Sequence, residues 1–160
     1  MDKYYDKDGI VVSRSVISDI AKMKNNLRPS DVKEVWASHH YTPCQALEAC
    51  VYKAIFACTI KNGKPLGIFG INTDNIVGTR ATIFMLSTPD LDKIERRFVR
   101  NSRAFIRLML SYYPYLDNWV HADNKQSIKW LRWLGAVIEE PKPYGIEGEM
   151  FHHFYFEEKQ

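Results

Sequence analysis

The sequence predicts an α+β domain with three layers, in which one central mixed sheet is flanked by helices. The chain has 160 residues, which suggests a single domain spanning residues 1–160 with enough buried surface for a hydrophobic core. Helical periodicity in the first third gives way to a run of β-rich segments, and helices then alternate with strands. That order is typical of helices packed on a mixed sheet.

The first third of the chain predicts one strand and three helices. Residues 1–13 are expected to be a tail that leads into a first strand at 10–13. Apolar residues at three- and four-residue spacing then predict a helix that Arg28-Pro29-Ser30 ends, followed by a second short helix. The segment Thr42-Pro43-Cys44-Gln45 predicts the start of a third helix, because Thr42 can cap it and Gln45 completes a capping box.

The middle of the chain predicts three antiparallel strands and one long helix. Strands at 55–60 and 65–71 are joined by Asn62-Gly63, which favours the positive φ angles of a type I′ hairpin turn. A third strand is expected at 79–86. The long helix follows at 94–112, because its apolar residues recur at helical spacing.

The last third of the chain predicts a strand, a helix and two further strands. The strand is expected at 118–122, and Asp123-Asn124-Lys125-Gln126 can cap the helix that follows it. Gly135 ends that helix, since glycine readily adopts the left-handed conformation found there. The two final strands are expected at 136–140 and 149–157.

The composition excludes several classes of protein. Hydrophobic residues make up 46% of the chain, which excludes a disordered chain, and no apolar run is long enough to span a bilayer. The charged N-terminus does not resemble a secretory signal. Cys44, Cys50 and Cys58 form no CxxC pair, so a soluble protein of a reducing, cytoplasmic compartment is expected, without disulfides or zinc. His152 and His153 lie on opposite faces of one strand, and no metal is expected there.

Charge is distributed unevenly along the chain. The formal net charge is only +3, but residues 92–133 hold nine Lys/Arg against four Asp/Glu, a local charge of +5. Residues 139–160 hold two Lys against six Glu, a local charge of −4. Helical spacing would place four arginines in one stripe: Arg96, Arg100, Arg103 and Arg107. This stripe is either a solvated helix face or an anion site for phosphates or nucleic acid.

The segment after the strand at 118–122 has an Asn, a small residue, two apolar residues, a Gly and another apolar residue at distinctive spacing. These residues are Asn124, Ser127, Trp130, Leu131, Gly135 and Ala136. The pattern resembles the late motif of the GNAT acyltransferase family, which moves an acyl group from coenzyme A to an amine. The resemblance implies a GNAT-like fold that uses acetyl-CoA or another acyl-CoA.

Five segments spread over nearly the whole chain carry a second resemblance: 28–37, 98–103, 113–118, 124–135 and 151–154. Together they are similar to a phage group within this fold, the GNAT-like proteins of tailed phages. This group includes an internal virion protein of short-tailed phages. The resemblance implies a protein of the host cytoplasm during infection, or one associated with the virion, with a host or virion protein as its partner.

The phosphate loop of the GNAT family is altered in this sequence. In the family, glycines after the central strand expose backbone N–H groups that hold a pyrophosphate. Here Arg100 and Ser102 stand in place of the glycines. The signals Thr88-Pro89 and Asp92-x-x-Glu95 also predict an early helix start, which would bond the N–H groups of residues 98–102 within the helix. The resemblance assigns cofactor binding to Leu86, Arg97, Val99, Arg100, Ser102 and Asn124.

The catalytic residues are less well defined than the cofactor site. Leu131 stands where the family has a tyrosine that protonates the leaving thiolate, and a general acid is typically worth about 10²–10⁴-fold in rate. The candidate general bases are Glu34, His39 and His40, and Ser87 is a candidate proton donor. The alternative for these residues is a surface, capping or core role.

Three functions are open at this point. The first is an acyl-CoA-dependent N-acyltransferase acting on a small-molecule or protein amine. The second is a catalytically degenerate GNAT-fold protein that binds virion or host proteins. The third is nucleic-acid binding through the arginine-rich helix, which the small net charge disfavours. No membrane partner is expected. All three readings require the strand at 118–122 to lie alongside the strand at 80–86.

Overall fold

The computed structural model describes residues 3–159, except for the side chains of residues 95–97. The described residues contain five α-helices: α1 (Ile17–Met23), α2 (Pro29–His39), α3 (Pro43–Tyr52), α4 (Glu95–Tyr112) and α5 (Lys125–Leu134). They also contain nine strands: β1 (Lys3–Lys7), β2 (Ile10–Arg14), β3 (Ala54–Lys61), β4 (Pro65–Asn72), β5 (Arg80–Ser87), β6 (Tyr115–His121), β7 (Val137–Ile138), β8 (Lys142–Tyr144) and β9 (Glu149–Glu157). A short 3-10 helix, Pro89–Lys93, precedes α4.

The strands form one mixed sheet in the order β1-β2-β3-β4-β5-β6-β9-β7, and β8 also pairs with β9. Strands β5 and β6 are parallel, while the other paired strands are antiparallel. Strand β6 therefore lies beside β5, as the predicted architecture requires. The predicted mixed sheet flanked by helices is confirmed.

A hydrophobic core on each face of the sheet holds the layers together. On one face, α1 and α3 pack against β4 and β5 through residues such as Ile20, Leu47 and Phe84. On the other face, α4 and α5 pack against the sheet through residues such as Phe98 and Ile128. Helix α2 lies on the same side as α1 and α3, where its Val35 packs against their core.

The N-terminal residues form a hairpin and not a tail. The tail expected before the first strand is wrong, because Lys3–Lys7 pairs with Ile10–Arg14. The strand expected at 10–13 is confirmed as β2. Asp8 and Gly9 join these strands with φ angles of 56° and 80°. Positive φ at both central positions is the requirement of a type I′ turn, and the Asp8-Gly9 turn meets it.

The turn between β3 and β4 differs from the one predicted. Gly63 has a φ of 76°, but Asn62 does not share the positive φ that a type I′ turn requires. Asn62 N instead donates to Lys64 O at 3.1 Å, and the flanking pair is Lys61 with Pro65. The hairpin is confirmed, while the prediction of its turn type is wrong, because the loop holds three residues.

Two strand boundaries near the C-terminus also shift. The strand predicted at 118–122 begins earlier, at Tyr115, and the strand predicted at 136–140 is reduced to Val137–Ile138. The strand at 149–157 is confirmed at both ends.

Among the described helices, none combines the length and apolar character that crossing a bilayer requires.

The predicted cap of α3 is confirmed and gives a direct test of local stability. Gln45 N donates to Thr42 Oγ1 at 3.3 Å, and Thr42 N donates to Gln45 Oε1 at 2.9 Å. Thr42→Ala should therefore lower the free energy of unfolding by about 1 kcal/mol in urea titrations. Thr42→Ser keeps the hydroxyl and serves as the control, and an equal loss in both variants would argue against the cap.

Candidate functional site

The site is built on a divergence of the two parallel strands. Strands β5 and β6 pair over Arg80–Thr82 and Tyr115–Asp117, and the pairing ends there. Paired strands lie about 4.8 Å apart, so the loss of pairing beyond Thr82 opens a gap between their C-terminal halves. The gap frees backbone N–H and C=O groups that must find other partners.

A cavity lies on each side of this gap. Towards α4 and α5, a cavity of about 140 Å³ is lined mainly by apolar side chains such as Phe105, Met109 and Leu134. Towards α2 and α3, a cleft of about 510 Å³ has a more polar lining that includes Lys53 and Asp74. The residues that line both are Glu34, Phe84, Met85, Asn118 and Trp119.

Asn118 bridges the two strands where they begin to separate. Its Nδ2 donates to Ile83 O on β5 at 2.6 Å, and its Oδ1 accepts from Trp119 N at 2.8 Å. One side chain thus bonds two backbone groups of the diverging strands. Asn118 takes the place of part of the missing strand pairing.

Helix α2 contributes two carboxylates at the carboxyl ends of the diverging strands. Ser87 N, at the end of β5, donates to Asp31 Oδ2 at 2.9 Å. His121 N, at the end of β6, donates to Glu34 Oε1 at 3.0 Å. Asn124 Nδ2 donates to the same Glu34 oxygen at 2.9 Å. Side chains of α2 therefore bond the end of each strand.

Burial raises the pKa of both α2 carboxyls. Asp31 is only 3% exposed, and burial raises its pKa although the neighbouring Arg28 guanidinium opposes the shift. Burial raises the pKa of Glu34 to about 7, against the hydrogen bonds from Asn124 and His121. Glu34 is therefore about half protonated at neutral pH, and the end of the gap has an acidic lining.

The polar wall of the larger cleft is also bonded internally. Asp117 is bound by Arg80, and His153 Nε2 lies 2.8 Å from its Oδ2. Burial raises the pKa of Asp117, but the hydrogen bonds and charges of Arg80 and His153 outweigh it and lower the pKa overall. Asp117 is thus an ionised carboxylate whose partners come from its own sheet.

The start of α4 leaves no backbone cradle in the segment that aligns with the phosphate loop. The helix begins at Glu95 after Ile94, and Phe98 N donates to Ile94 O at 3.1 Å. Residues 98–102 lie within α4, so their N–H groups belong to its hydrogen-bond ladder. The early helix start is confirmed, with Ile94 as the N-cap of α4, while the expected Asp92 box depends on the side chain of Glu95, which lies outside the described residues.

The residues assigned to cofactor binding are dispersed around the gap. Ser102 lines the smaller cavity, but its hydroxyl donates to Val99 O at 2.7 Å. Arg100 is exposed and lines neither cavity, and Leu86 is buried in the core beside the larger cleft. The side chain of Arg97 lies outside the described residues.

Asn124 has a structural role at the start of α5. Its Oδ1 accepts from Ser127 N at 3.3 Å, which is the predicted cap, and its Nδ2 bonds Glu34. Its amide is therefore bonded at both ends by this chain. Whether any of the six assigned residues binds coenzyme A stays a prediction.

The catalytic candidates do not converge on one point. Glu34 lines both cavities, whereas His39 lines only the larger cleft, where burial lowers its pKa. His40 caps the end of α2 and its Nε2 lies 2.5 Å from Glu147 Oε1. Ser87 is fully buried at the end of β5. Leu131 lines the smaller cavity and brings no hydroxyl to it.

Sequence reasoning did not identify Asp31 and Asn118. The available signal for Asp31 was its spacing from Glu34, since residues three apart share a helix face. Asn118 had no comparable signal, because its role depends on where β5 diverges.

Solved structures of the same architecture are N-acetyltransferases. Ard1 from Thermoplasma volcanium has a TM-score of 0.67 and 15% identity, over 95% of this chain and 99% of that chain. The ribosomal-protein-S5-alanine acetyltransferase from Vibrio fischeri has a TM-score of 0.66 and 16% identity, over 96% of this chain and 95% of that chain. The spermidine N-acetyltransferase from Vibrio cholerae, in complex with CoA and spermine, has a TM-score of 0.61 and 13% identity, over 94% of this chain and 96% of that chain. The chain therefore has the GNAT fold, and identities this low show the fold alone.

Sequence comparison adds a family to the fold. No curated protein sequence matches the chain. The family model described as "Bacteriophage T7, probable scaffold protein Gp13" matches residues 58–141, which is more than half of the chain and includes both diverging strands. The predicted phage resemblance is supported, and the narrower likeness to an internal virion protein stays a prediction. The chain belongs to the family of the bacteriophage T7 probable scaffold protein Gp13, and it has a GNAT fold.

Proposed function

We propose that this protein is a catalytically inactive member of the GNAT fold that acts in phage particle assembly. The description of its family as a probable scaffold protein supports the assembly role. The lack of catalytic activity is proposed because side chains of this chain occupy the backbone hydrogen-bonding groups at the gap between β5 and β6. Asp31, Glu34 and Asn118 together bond backbone groups of both diverging strands.

Binding of coenzyme A would have to disrupt these bonds. Displacing Asp31 and Glu34 would leave Ser87 N, His121 N and Asn124 Nδ2 without partners, at a cost of about 1–3 kcal/mol for each unsatisfied group. The cavity of about 140 Å³ on the α4 and α5 side is smaller than the roughly 300–1,000 Å³ of ordinary ligand pockets, while the cleft of about 510 Å³ on the α2 and α3 side lies within that range.

Complementation of a phage that lacks this gene tests the proposal. Glu34→Gln removes the best placed catalytic carboxyl but keeps a hydrogen-bond acceptor, so the folded variant should restore particle yield as well as the wild type does. Gly70→Ala, which is expected to disrupt the sheet, should fail to restore it. A folded Glu34→Gln protein that does not support particle formation would contradict an assembly role independent of catalysis.

A second candidate function is acyl transfer to an amine, and one observation favours it. Glu34 has a pKa of about 7 and lines both cavities, which is where a general base between cofactor and acceptor would lie. The assay is thiol release from acetyl-CoA with spermidine or a peptide with an N-terminal alanine. Turnover that Glu34→Gln abolishes would replace the proposal above with this one.

A further inference from the structure

The outward faces of α4 and α5 form a surface on which cations are not matched by carboxylates. The described side chains of the two helices include no Asp or Glu. They include six exposed cations, called here the basic face: Arg100, Arg103, Arg107, Lys125, Lys129 and Arg132. The carboxylates that precede the helices are already engaged, since Asp123 pairs with Lys33 and Asp92 lies beside Arg28.

Both rows of cations point to the same side of the molecule. The buried residues of α4 and α5 belong to one core, so their exposed residues face away from the same side of the sheet. Seven residues separate Arg100 from Arg107, and seven separate Lys125 from Arg132. Each row is therefore about 10 Å long, and packed helices lie about 8–10 Å apart.

Arg103 links the two rows. Its Nη2 donates to Trp133 O at 2.7 Å, and its guanidinium lies 4.0 Å from the centre of the Trp133 ring. This contact caps the end of α5 and fixes one cation of α4 next to α5. None of the six cations is in an ion pair with a described residue. Among the described residues, no ion pair therefore offsets their mutual repulsion.

We propose that the basic face binds the phosphate backbone of double-stranded DNA. Duplex DNA carries one charge per about 1.7 Å of its axis, so a 10 Å row meets about six charges of the duplex. An acidic protein is the less suitable occupant, because stable protein interfaces have an apolar centre. The large exposed apolar side chains of these two helices are Trp133, which Arg103 covers, and Tyr112 at the end of α4, which stacks on Phe56. This proposal is independent of the assembly role.

The test is fluorescence anisotropy with a labelled duplex of about 20 base pairs, titrated between about 50 and 200 mM salt. Affinity should fall steeply with salt, with a log–log slope of about −3 to −4 for the three or four phosphates that one side of the duplex presents. Absence of binding at the lowest salt would overturn the proposal.

A matched pair of variants locates the contact. Lys125→Gln with Lys129→Gln should weaken binding and reduce the slope by about two units, since each lost phosphate contact removes about 0.9. Lys22→Gln with Lys24→Gln makes the same chemical change on the opposite face of the sheet and should leave both quantities unchanged. Thermal unfolding confirms that both variants are folded.

Two further outcomes would overturn the proposal. Equal loss of affinity in the two double variants would show that net charge, and not the basic face, drives binding. Binding of polyglutamate as tight as that of the duplex, with the same loss in the Lys125/Lys129 variant, would identify an acidic protein surface as the partner.

Discussion

At about pH 8, the Glu34→Gln variant is expected to be more stable than the wild type by up to about 3 kcal/mol of unfolding free energy. Burial raises the pKa of Glu34 from 4.5 to about 7. The folded protein therefore ionises this carboxyl at a cost that the unfolded chain does not meet. Glutamine retains an oxygen for His121 N and Asn124 Nδ2, and it does not ionise.

The raised pKa of Glu34 also predicts the direction in which stability changes with pH. Between pH 4.5 and about 7 the folded state holds a proton on Glu34 that the unfolded state has lost, so stability falls as the pH rises. The stabilisation that protonated Glu34 gives the folded state is fully present below pH 4.5 and is lost once the pH passes about 7. Asp31, whose pKa burial also raises, acts in the same direction and keeps part of the slope in the variant.

Urea unfolding at about pH 5 and about pH 8 measures this effect. The wild type should lose more stability between the two pH values than Glu34→Gln does. Glu157→Gln, at an exposed position of β9, is the control and should behave as the wild type. A Glu34→Gln protein that is less stable than the wild type at the higher pH would mean that burial does not destabilise the ionised carboxyl of Glu34.

The Gly70→Ala substitution is expected to prevent stable folding, with a loss of at least about 4 kcal/mol. A Cβ at Gly70 would lie 1.9 Å from Phe56 O and 2.9 Å from Ala57 Cα. Both atoms belong to the backbone of β3, where the pairing register with β4 shifts between Ala54 and Phe56. A backbone atom cannot rotate away as a side chain can, so the two strands would have to separate.

A second glycine of the same strand provides the control. A Cβ at Gly67 would meet its nearest atom, Ser87 Cβ, at 3.4 Å, which is ordinary van der Waals contact. Gly67→Ala should therefore fold and change stability by less than about 1 kcal/mol. Circular dichroism and urea titration compare the two variants. Wild-type stability in Gly70→Ala would show that β3 and β4 do not approach this closely.

The layered architecture could be predicted because its signals are local. Apolar residues at helical spacing, the Thr42 cap and the Gly135 stop each report on a few neighbouring residues, and the structure confirms them. Strand β1 escaped prediction because four of its five residues are exposed, which leaves no apolar alternation to detect. The Asn62-Gly63 turn was assigned wrongly because the same dipeptide also fits a longer loop.

The candidate site was predictable only in part. Glu34 stood out in the sequence as a candidate base, but its bonds to His121 N and Asn124 Nδ2 arise because α2 meets the end of β6. The role of Asn118 likewise depends on the divergence of β5 and β6, which no local pattern announces. Arg103 was expected in a solvated or anion-binding stripe, and the structure adds its contact with Trp133.

We propose that the side chains of this GNAT-fold chain bond its own strand gap and that it holds no acyl-CoA. The decisive measurement is a calorimetric titration with acetyl-CoA, with the Vibrio cholerae spermidine N-acetyltransferase, whose structure contains CoA, as the positive control. No saturable heat is expected for this chain up to millimolar cofactor. Saturable binding of acetyl-CoA would refute the proposal, and its weakening by Asn124→Ala or Arg100→Ala would locate the bound cofactor.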